Sequence, residues 1–302
     1  MKILSFGSLN LDKVYNVPYF VRPGETLPAN ALSTFCGGKG LNQSIALARA
    51  GSHVYHAGCV GSSDGNILLD ALCDAGVDIS LIRQLSCSTG HAIIQVDPSG
   101  QNCILLFGGA NQEVSHEQID YTLTFFDKGD ILVLQNEISC LDYLIRKAAE
   151  RGMVIVLNPS PMTSSIKQLP LDMVSYFLLN EVEAKDLCGQ TADDTQYPSI
   201  LLELYPKSRI VLTLGARGCI YLDKKQLIRF PACQVDVADT TAAGDTFTGY
   251  FISAVANHLP IQEALSFATR AAAISVSRFG ASSSIPKKEE VLVFPEPSHY
   301  TA

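Results

Sequence analysis

The strongest constraint in this sequence is an alternation of two periods. Beyond Asn111, short apolar runs of strand length trade places with longer stretches whose apolar residues recur at helical spacing. The pattern predicts helix 117–126 and strand 131–135, helix 141–151 and strand 154–157, strand 176–179 and helix 181–187, and helix 199–205 and strand 209–213. Strands 218–222 and 227–230 follow, and helices 244–257 and 261–276 close the pattern. Such alternation implies an α/β fold, a mostly parallel sheet with helices on both faces. Right-handed crossovers then bring the C-terminal ends of the parallel strands, and the loops after them, to one edge. Asn10, Asp12, Asn136, Glu137, Asn158, Asn180 and Gly215 each fall just after a predicted strand. Polar residues collected on one edge point to a ligand crevice there.

The first third reads differently. Residues 2–7 predict a strand, 40–50 a helix behind a glycine-rich entry, 54–60 a strand, and 67–75 a helix ended by Gly76. Residues 13–35 lack a helical period and contain Pro18, Pro23, Gly24 and Pro28, so short extended pieces fit best. Residues 90–96 and 103–107 flank Asp97-Pro98-Ser99-Gly100 and read as a hairpin. Gly90, Ala92, Ile94 and Val96 share one face of its first strand, and Thr89, His91 and Gln95 lie mostly on the other. One face is covered and the other wetter, as in a lid. Segments at about 10–36 and 88–110 read as insertions that build a second, small sheet on a single domain spanning residues 1–302. No internal repeat, low-complexity segment or linker divides the chain.

Hydrophobic residues make up 47% of the chain and charged residues 17%, which is ample for a large core. The net charge of −8 argues against nucleic acid or an anionic membrane as a general partner. Any phosphate site must therefore be local, built from backbone and a few cations. The nine cysteines are odd in number, and no two lie within four residues, which excludes a zinc cluster or a C-x-x-C redox pair. Most sit in apolar context, Cys59, Cys73 and Cys219 among them, and read as small core residues in a reducing compartment. The N-terminus turns polar too soon for a signal peptide, and the uncharged run 246–262 is broken by Asn257, His258 and Pro260, so it does not span a membrane. A cytoplasmic protein is expected.

Two stretches carry chemistry. Asp239-Thr240-Thr241-Ala242-Ala243-Gly244-Asp245-Thr246-Phe247 runs into a helical pattern, with Phe247, Tyr250, Phe251 and Ala254 at helical spacing. Its small residues sit where a loop becomes a helix, so backbone N–H groups lack partners and an anion can reach them. A carboxylate at a helix N-terminus is favoured in its charged form, which suits Asp245 to accept a proton. An anion cradle with a base beside it suits phosphoryl transfer to a hydroxyl, although a capped helix after a flexible loop has the same pattern. The second stretch is Gly37-Gly38-Lys39-Gly40-Leu41-Asn42-Gln43, in which glycines allow close backbone approach, Lys39 brings a cation and Asn42 both donates and accepts. It is neither a Walker A loop nor a dinucleotide fingerprint, and alone it is also compatible with a glycine turn.

Together these motifs, about two hundred residues apart, resemble the signatures of the ribokinase family of sugar kinases. The resemblance covers essentially the whole chain. It implies an ATP-dependent carbohydrate kinase with a Rossmann-like core and a β-sheet lid, acting on the primary hydroxyl of a sugar. Ribose is the expected acceptor, with another pentose, a hexose such as fructose, or a nucleoside as the alternative. By resemblance Asp245 is the base, and backbone N–H groups of Ala242, Ala243, Gly244 and Asp245 form the anion hole. Asn10, Asp12, Gly38, Lys39, Asn42 and Glu137 match sugar contacts. Asn180-Glu181-Val182-Glu183 resembles a motif in which Asn180 lies near the ATP phosphates and Glu183 holds Mg²⁺ through water, though a helix capping box reads the same way. Thr213, Gly215 and Gly218 match a nucleotide loop, Gly244 also faces ATP, and Thr269 stands where an adenine-side Asn or His is expected. A potassium site is implied by Asp239 and the carbonyl of Thr241, the carbonyls of Ser275, Arg278 and Gly280, and the hydroxyl of Ser284. Asp239 could equally cap a turn, with Ser284 facing water. A homodimer through the lid is the expected assembly.

Gly61-Ser62-Ser63-Asp64-Gly65 departs from the family's loop by displacing the acid one position. The same stretch fits a G-x-S-x-G hydrolase elbow, which would need a later histidine; only His91, His116, His258 and His299 follow Ser63.

Overall fold

The computed structural model describes residues 1–297. β1 (Ile3–Phe6) lies inside a nine-stranded sheet, with β4 (Val54–Gly61) on one side and β8 (Ile131–Gln135) on the other, all parallel. Beyond β8 the sheet continues in parallel through β9 (Val154–Asn158), β10 (Tyr176–Asn180) and β11 (Arg209–Thr213). Every residue of β1 and β8 is buried, because helices cover both faces of the sheet and a parallel strand there meets apolar neighbours on each side. One face carries α1 (Lys39–Arg49), α2 (Asn66–Asp74), α7 (Ala243–Ala256) and α8 (Ile261–Val276). The other carries α3 (His116–Leu123), α4 (Leu141–Glu150), α5 (Glu181–Cys188) and α6 (Tyr197–Leu204).

The two ends of this sheet differ from the sequence expectation. β5 (Asp78–Leu85) adds an edge strand beside β4 that the sequence pattern did not reveal, since its half-exposed run of charged and apolar residues has neither period cleanly. At the opposite end β12 (Cys219–Leu222) and β13 (Leu227–Phe230) pair antiparallel. Elsewhere the predicted elements form with boundaries moved by one to three residues. Of the cysteines read as core residues, the structure buries only Cys59 and Cys219 and leaves Cys73 exposed.

The second sheet has the order β3-β2-β6-β7, with β2 (Asn10–Asn16), β3 (Ala31–Gly37), β6 (Gly90–Val96) and β7 (Asn102–Phe107). Asn10 and Asp12 are therefore strand residues rather than loop residues following β1. In register, Asn10 sits between Gly37 and Gly90, and Asp12 between Phe35 and Ala92. The apolar face expected for β6 is buried only at Gly90 and Ala92, next to the main sheet, while Ile94 and Val96 are half-buried. β7 is exposed along its whole length.

Two contacts fix the site's frame. α7 crosses α1 where Gly249 meets Ala46 and the Leu47 backbone, with no room for a side chain at residue 249. Gly40 likewise lets the start of α1 lie against the Gly7–Ser8 backbone leaving β1. The motif glycine at residue 40 thus serves packing within the protein rather than approach of a ligand.

Candidate active site

The edge formed by the C-terminal ends of the parallel strands carries the site. The residue capping the start of α7 is Ala242, whose φ of 60° is left-handed, an uncommon conformation for a residue with a side chain. Among the described residues no protein acceptor takes the N–H of Ala242, Gly244 or Asp245, whereas Ala243 N–H reaches the Thr240 carbonyl at 3.3 Å. A Cβ on Gly244 would project into open space, so the missing side chain leaves room for something outside the protein fold. Unpartnered donors beside open space at a helix N-terminus make an anion cradle.

Asp245 is 8% exposed and both its oxygens are held. Asn42 Nδ2 donates to one at 3.0 Å and Gln43 Nε2 to the other at 2.9 Å, so the two sequence motifs meet in direct hydrogen bonds. Gln43 Oε1 in turn accepts from Gln135 Nε2 at 2.7 Å, at the end of β8. The Asn42 Oδ1 atom is buried without a partner.

Around this core lie the other predicted polar residues. Glu137, just past β8, accepts from Ser8 Oγ and from the Lys39 N–H at 3.1 Å, which ties it to the first turn of α1. Burial raises the Glu137 pKa, against the bonds from Ser8 and the charge of Lys39. Burial, then repulsion from Glu137, lifts Asp12 from 3.8 to about 6. Burial works against the Lys39 ammonium too, but Asp245, Glu137 and Glu183 outweigh it and raise its pKa. Asn10 Oδ1 accepts from Asn111 Nδ2 at 2.7 Å, and Asn111 Oδ1 accepts from Leu9 N–H at 3.0 Å. Gly38, with φ of 93°, packs on the Ser8 carbonyl and the Asn10 N–H.

A cleft of ≈ 320 Å³ runs from Asp245 past Lys39, Asn180, Glu183 and Thr241. It shares Thr213, Thr240 and Gly244 with a second, largely apolar cleft of ≈ 290 Å³ walled by Gly215, Gly218, Val235, Phe247, Thr269 and Ala272. Thr269 is 7% exposed, with its side chain beside the Cys219 thiol. The two clefts form one trough along the sheet edge, polar at the Asp245 end and apolar at the other.

Asn180 and Glu183 do form a capping box: Asn180 Oδ1 accepts Glu183 N–H at 2.9 Å and Glu183 Oε2 accepts Asn180 N–H at 3.0 Å. Both side chains still line the polar cleft, so the cap and the site reading coexist. Asp239 likewise holds a turn, accepting Thr241 N–H at 2.9 Å and its hydroxyl at 2.6 Å, but its other oxygen accepts Gly280 N–H at 3.0 Å. Burial opposes its charge, yet the donors from Thr241 and Gly280 win and lower its pKa. Ser284 is fully buried rather than facing water, and its hydroxyl meets Ser275 Oγ at 2.8 Å. The Ser275 carbonyl accepts Arg278 N–H at 3.1 Å, and the Arg278 side chain pairs with Glu290. The residues assigned to a potassium site are thus contiguous beside the anion cradle.

A family model described as pfkB family carbohydrate kinase matches residues 1–288. The chain belongs to the pfkB family of carbohydrate kinases. Among curated proteins, a ribokinase of Haemophilus influenzae is 37% identical over 297 residues, covering 96% of this chain and 97% of its own. A ribokinase of Schizosaccharomyces pombe is 34% identical over 313 residues, covering 96% of each chain. Among solved structures, ribokinase from Thermotoga maritima superposes with a TM-score of 0.86 at 35% identity, covering 97% of this chain and 98% of its own. Arabidopsis thaliana ribokinase complexed with ribose and ATP gives 0.87 at 28% identity, covering 96% and 97%. The small second sheet and the trough are thus features of a sugar kinase.

The hydrolase alternative fails on the same geometry. Asp64 accepts from Thr89 N–H at 3.1 Å and from its hydroxyl, and Thr89 Oγ1 accepts Gly61 N–H at 2.9 Å. The loop is a clamp at the root of β6, and among the described residues no histidine bonds Ser63; His299 lies outside them. Sequence reasoning missed Ser8, Asn111 and Gln135. Each sits among small or other polar residues next to an apolar run, and only its buried position reveals its part.

Proposed function

We propose that this kinase transfers the γ-phosphoryl group of ATP to the primary hydroxyl of a sugar, D-ribose to ribose 5-phosphate. The observation that carries the reading is the set of free N–H groups of Ala242, Gly244 and Asp245, unpartnered among the described residues, beside a carboxylate held by Asn42 and Gln43. Asp245 takes the proton of the sugar hydroxyl as it attacks phosphorus, and the N–H groups of Ala242 to Asp245 hold the charge on the transferring group. ATP lies along the trough, its base between Gly215, Phe247 and Thr269 and its phosphates toward Asn180 and Lys39. The sugar's hydroxyls are met by Asn10, Asp12, Gly38, Asn42 and Glu137, a set of carboxylates and amides that accepts and donates as sugar hydroxyls require. Segments 10–36 and 88–110 act as a lid over that sugar.

Glu183 fits Mg²⁺ held through water, since it lines the phosphate cleft and one carboxylate can suffice for an ion that keeps most of its water. Bound there, the ion supplies charge neutralisation at the phosphates. The donor set around Asp239 fits K⁺: one carboxylate, with carbonyls of Thr241, Ser275, Arg278 and Gly280 and the Ser284 hydroxyl close by, at a helix C-terminus where carbonyls lose partners. Bound there, the cation supplies a tie between the α8 end and the loop that carries the anion cradle. The exposed apolar residues Leu32, Phe35, Ile104, Leu105, Leu106 and Phe107 on the small sheet support a homodimer formed through the lid. Nine free thiols and the absence, among the described residues, of any helix long and apolar enough to cross a membrane support a cytoplasmic location.

The test is a coupled assay of ATP turnover with ribose, 2-deoxyribose, fructose and adenosine. Ribose is expected to give the highest kcat/KM, because a site built to bond hydroxyls rejects analogues lacking them. A clear win for one of the other three moves the acceptor to another sugar or a nucleoside; no turnover with any sugar overturns the reading.

A further inference from the structure

We propose that Gln135 is a positioning residue that orients the catalytic carboxylate through Gln43, by a two-amide relay with an enforced direction. The proposal rests on the reading of Asp245 as the base. The relay spans three elements: Gln135 ends β8, Gln43 lies in α1 and Asp245 lies in the first turn of α7. Gln43 and Gln135 are both 0% exposed, so neither amide can turn to water for an alternative partner.

The direction follows from charge. An ionised carboxylate only accepts, so Gln43 must turn its NH₂ toward Asp245, at 2.9 Å. Its carbonyl oxygen then faces Gln135, which must answer with its own NH₂, at 2.7 Å. Turning Gln135 over would set two oxygens against each other, and the mismatch would be resolved by Gln43 flipping and presenting oxygen to Asp245.

The cost of this arrangement is visible at its far end. Gln135 Oε1 is buried with no hydrogen-bond partner, in space kept open by Gly7, where a Cβ would collide with it. Leaving a buried acceptor unpaired is unfavourable. The chain accepts that cost at Gln135 while both bonds directed toward Asp245 are made. His56, also buried in this region, does not supply the missing donor: its Nδ1 meets Ser44 Oγ at 2.7 Å, and among the described residues no bond joins its ring to Gln135. Burial keeps His56 neutral down to about pH 4, so no cation competes for the relay.

The titratable and charged groups facing Asp245 from the surrounding elements are Lys39 of α1, Glu137 after β8 and Glu183 of α5. None bonds Gln135, so the relay can be perturbed without removing a ligand contact.

The test is Gln135→Glu, which keeps size and shape but makes the donor depend on pH. With its carboxyl protonated the variant still donates to Gln43; ionised, it accepts only, and Gln43 is driven to flip. The ratio of variant to wild-type kcat is therefore expected to fall roughly 10- to 100-fold as pH rises from about 6 to 9, reversibly, with KM for ATP within about threefold. Gln135→Met, which removes the donor without adding charge, is expected to lower kcat about 3- to 10-fold at every pH. Thermal melts at each pH report folding. A pH-independent kcat ratio for Gln135→Glu in folded protein overturns the proposal. If that variant unfolds at high pH, full kcat in Gln135→Met does so. Asp245→Asn is measured alongside and is expected to lose roughly 10²- to 10⁴-fold in kcat. Near-normal kcat there removes the base assignment itself, whereas a large loss there with unaffected Gln135 variants removes the relay alone.

Discussion

The Asp12 carboxylate occupies the volume that a side chain at Gly37 would fill, so the strand partner of Asn10 is a glycine because the neighbouring acid needs its space. The two residues come from opposite strands of the small sheet, and their fit sets an acid at the sheet's inner end. Half-buried there and facing Glu137, the Asp12 carboxyl is pushed up from 3.8 to about 6 by desolvation and by the charge of Glu137.

That shift gives a pH prediction with opposite signs for stability and for binding. The folded-state pKa lies above the unfolded value, so ionisation costs stability progressively between pH 3.8 and about 6 and by a constant amount above. Asp12→Asn should therefore stabilise the sugar-free kinase at pH 8, on the order of 1–2 kcal/mol, and the gain should vanish below pH 4. The sugar needs the ionised acceptor, so wild-type KM for ribose should rise as pH falls through 6, while the variant's KM is higher throughout and flat. Thermal melts and KM across pH 4 to 8 check both; a melting difference independent of pH would be the wrong outcome.

Gly244→Ala separates folding from catalysis. The new Cβ meets no protein atom, and alanine favours helix over glycine by roughly 0.5–1 kcal/mol, so the melting temperature should hold or rise. The same methyl enters the anion cradle, and kcat should drop about tenfold or more. A variant with full activity would show that the phosphoryl group passes elsewhere.

Potassium should stimulate turnover at fixed Mg-ATP in Tris buffer, and sodium should do so less. Asp239→Ala should abolish the response, since Asp239 ties Thr241 to the Gly280 loop and supplies the only carboxylate of the proposed donor set. Equal rates without added cation, with potassium and with sodium would remove the site.

Leu105 is 67% exposed on a strand whose every residue is exposed. Leu105→Lys should shift sedimentation from dimer toward monomer with little change in the fold of each subunit. A wild-type protein that sediments as a monomer would dispose of the lid interface.

The parallel core was legible because its strands are buried on both sides and read as unbroken apolar runs, as in Ile131 to Leu134. β5 was not, because an edge strand carrying Arg83 and Gln84 has the composition of a surface loop. Asn10 and Asp12 read as loop residues after β1 but lie in β2, since the short link between the two strands gives no sign that the chain changes sheets. Asp245 and the glycine motif stood out only as a pair that matches a family's signatures, since alone each also reads as a capped helix or a glycine turn. Gln135 was hidden: one glutamine at a strand end looks like any other, and only the bond to Gln43 shows which way it faces.

The crossing at Gly249 also bears on how the site comes into being during synthesis. The motif at residues 37–43 and the carboxylate at 245 are pressed together through Ala46 and residue 249, so each half is incomplete until α7 has docked on α1. Contacts so distant in sequence form late and slowly. Chains emerging from the ribosome therefore carry the sugar-side acids and the small sheet long before they carry a base or a cradle for phosphate. A nascent chain stalled before residue 243 leaves Asn42 and Gln43 without their carboxylate partner and α1 without the helix that crosses it.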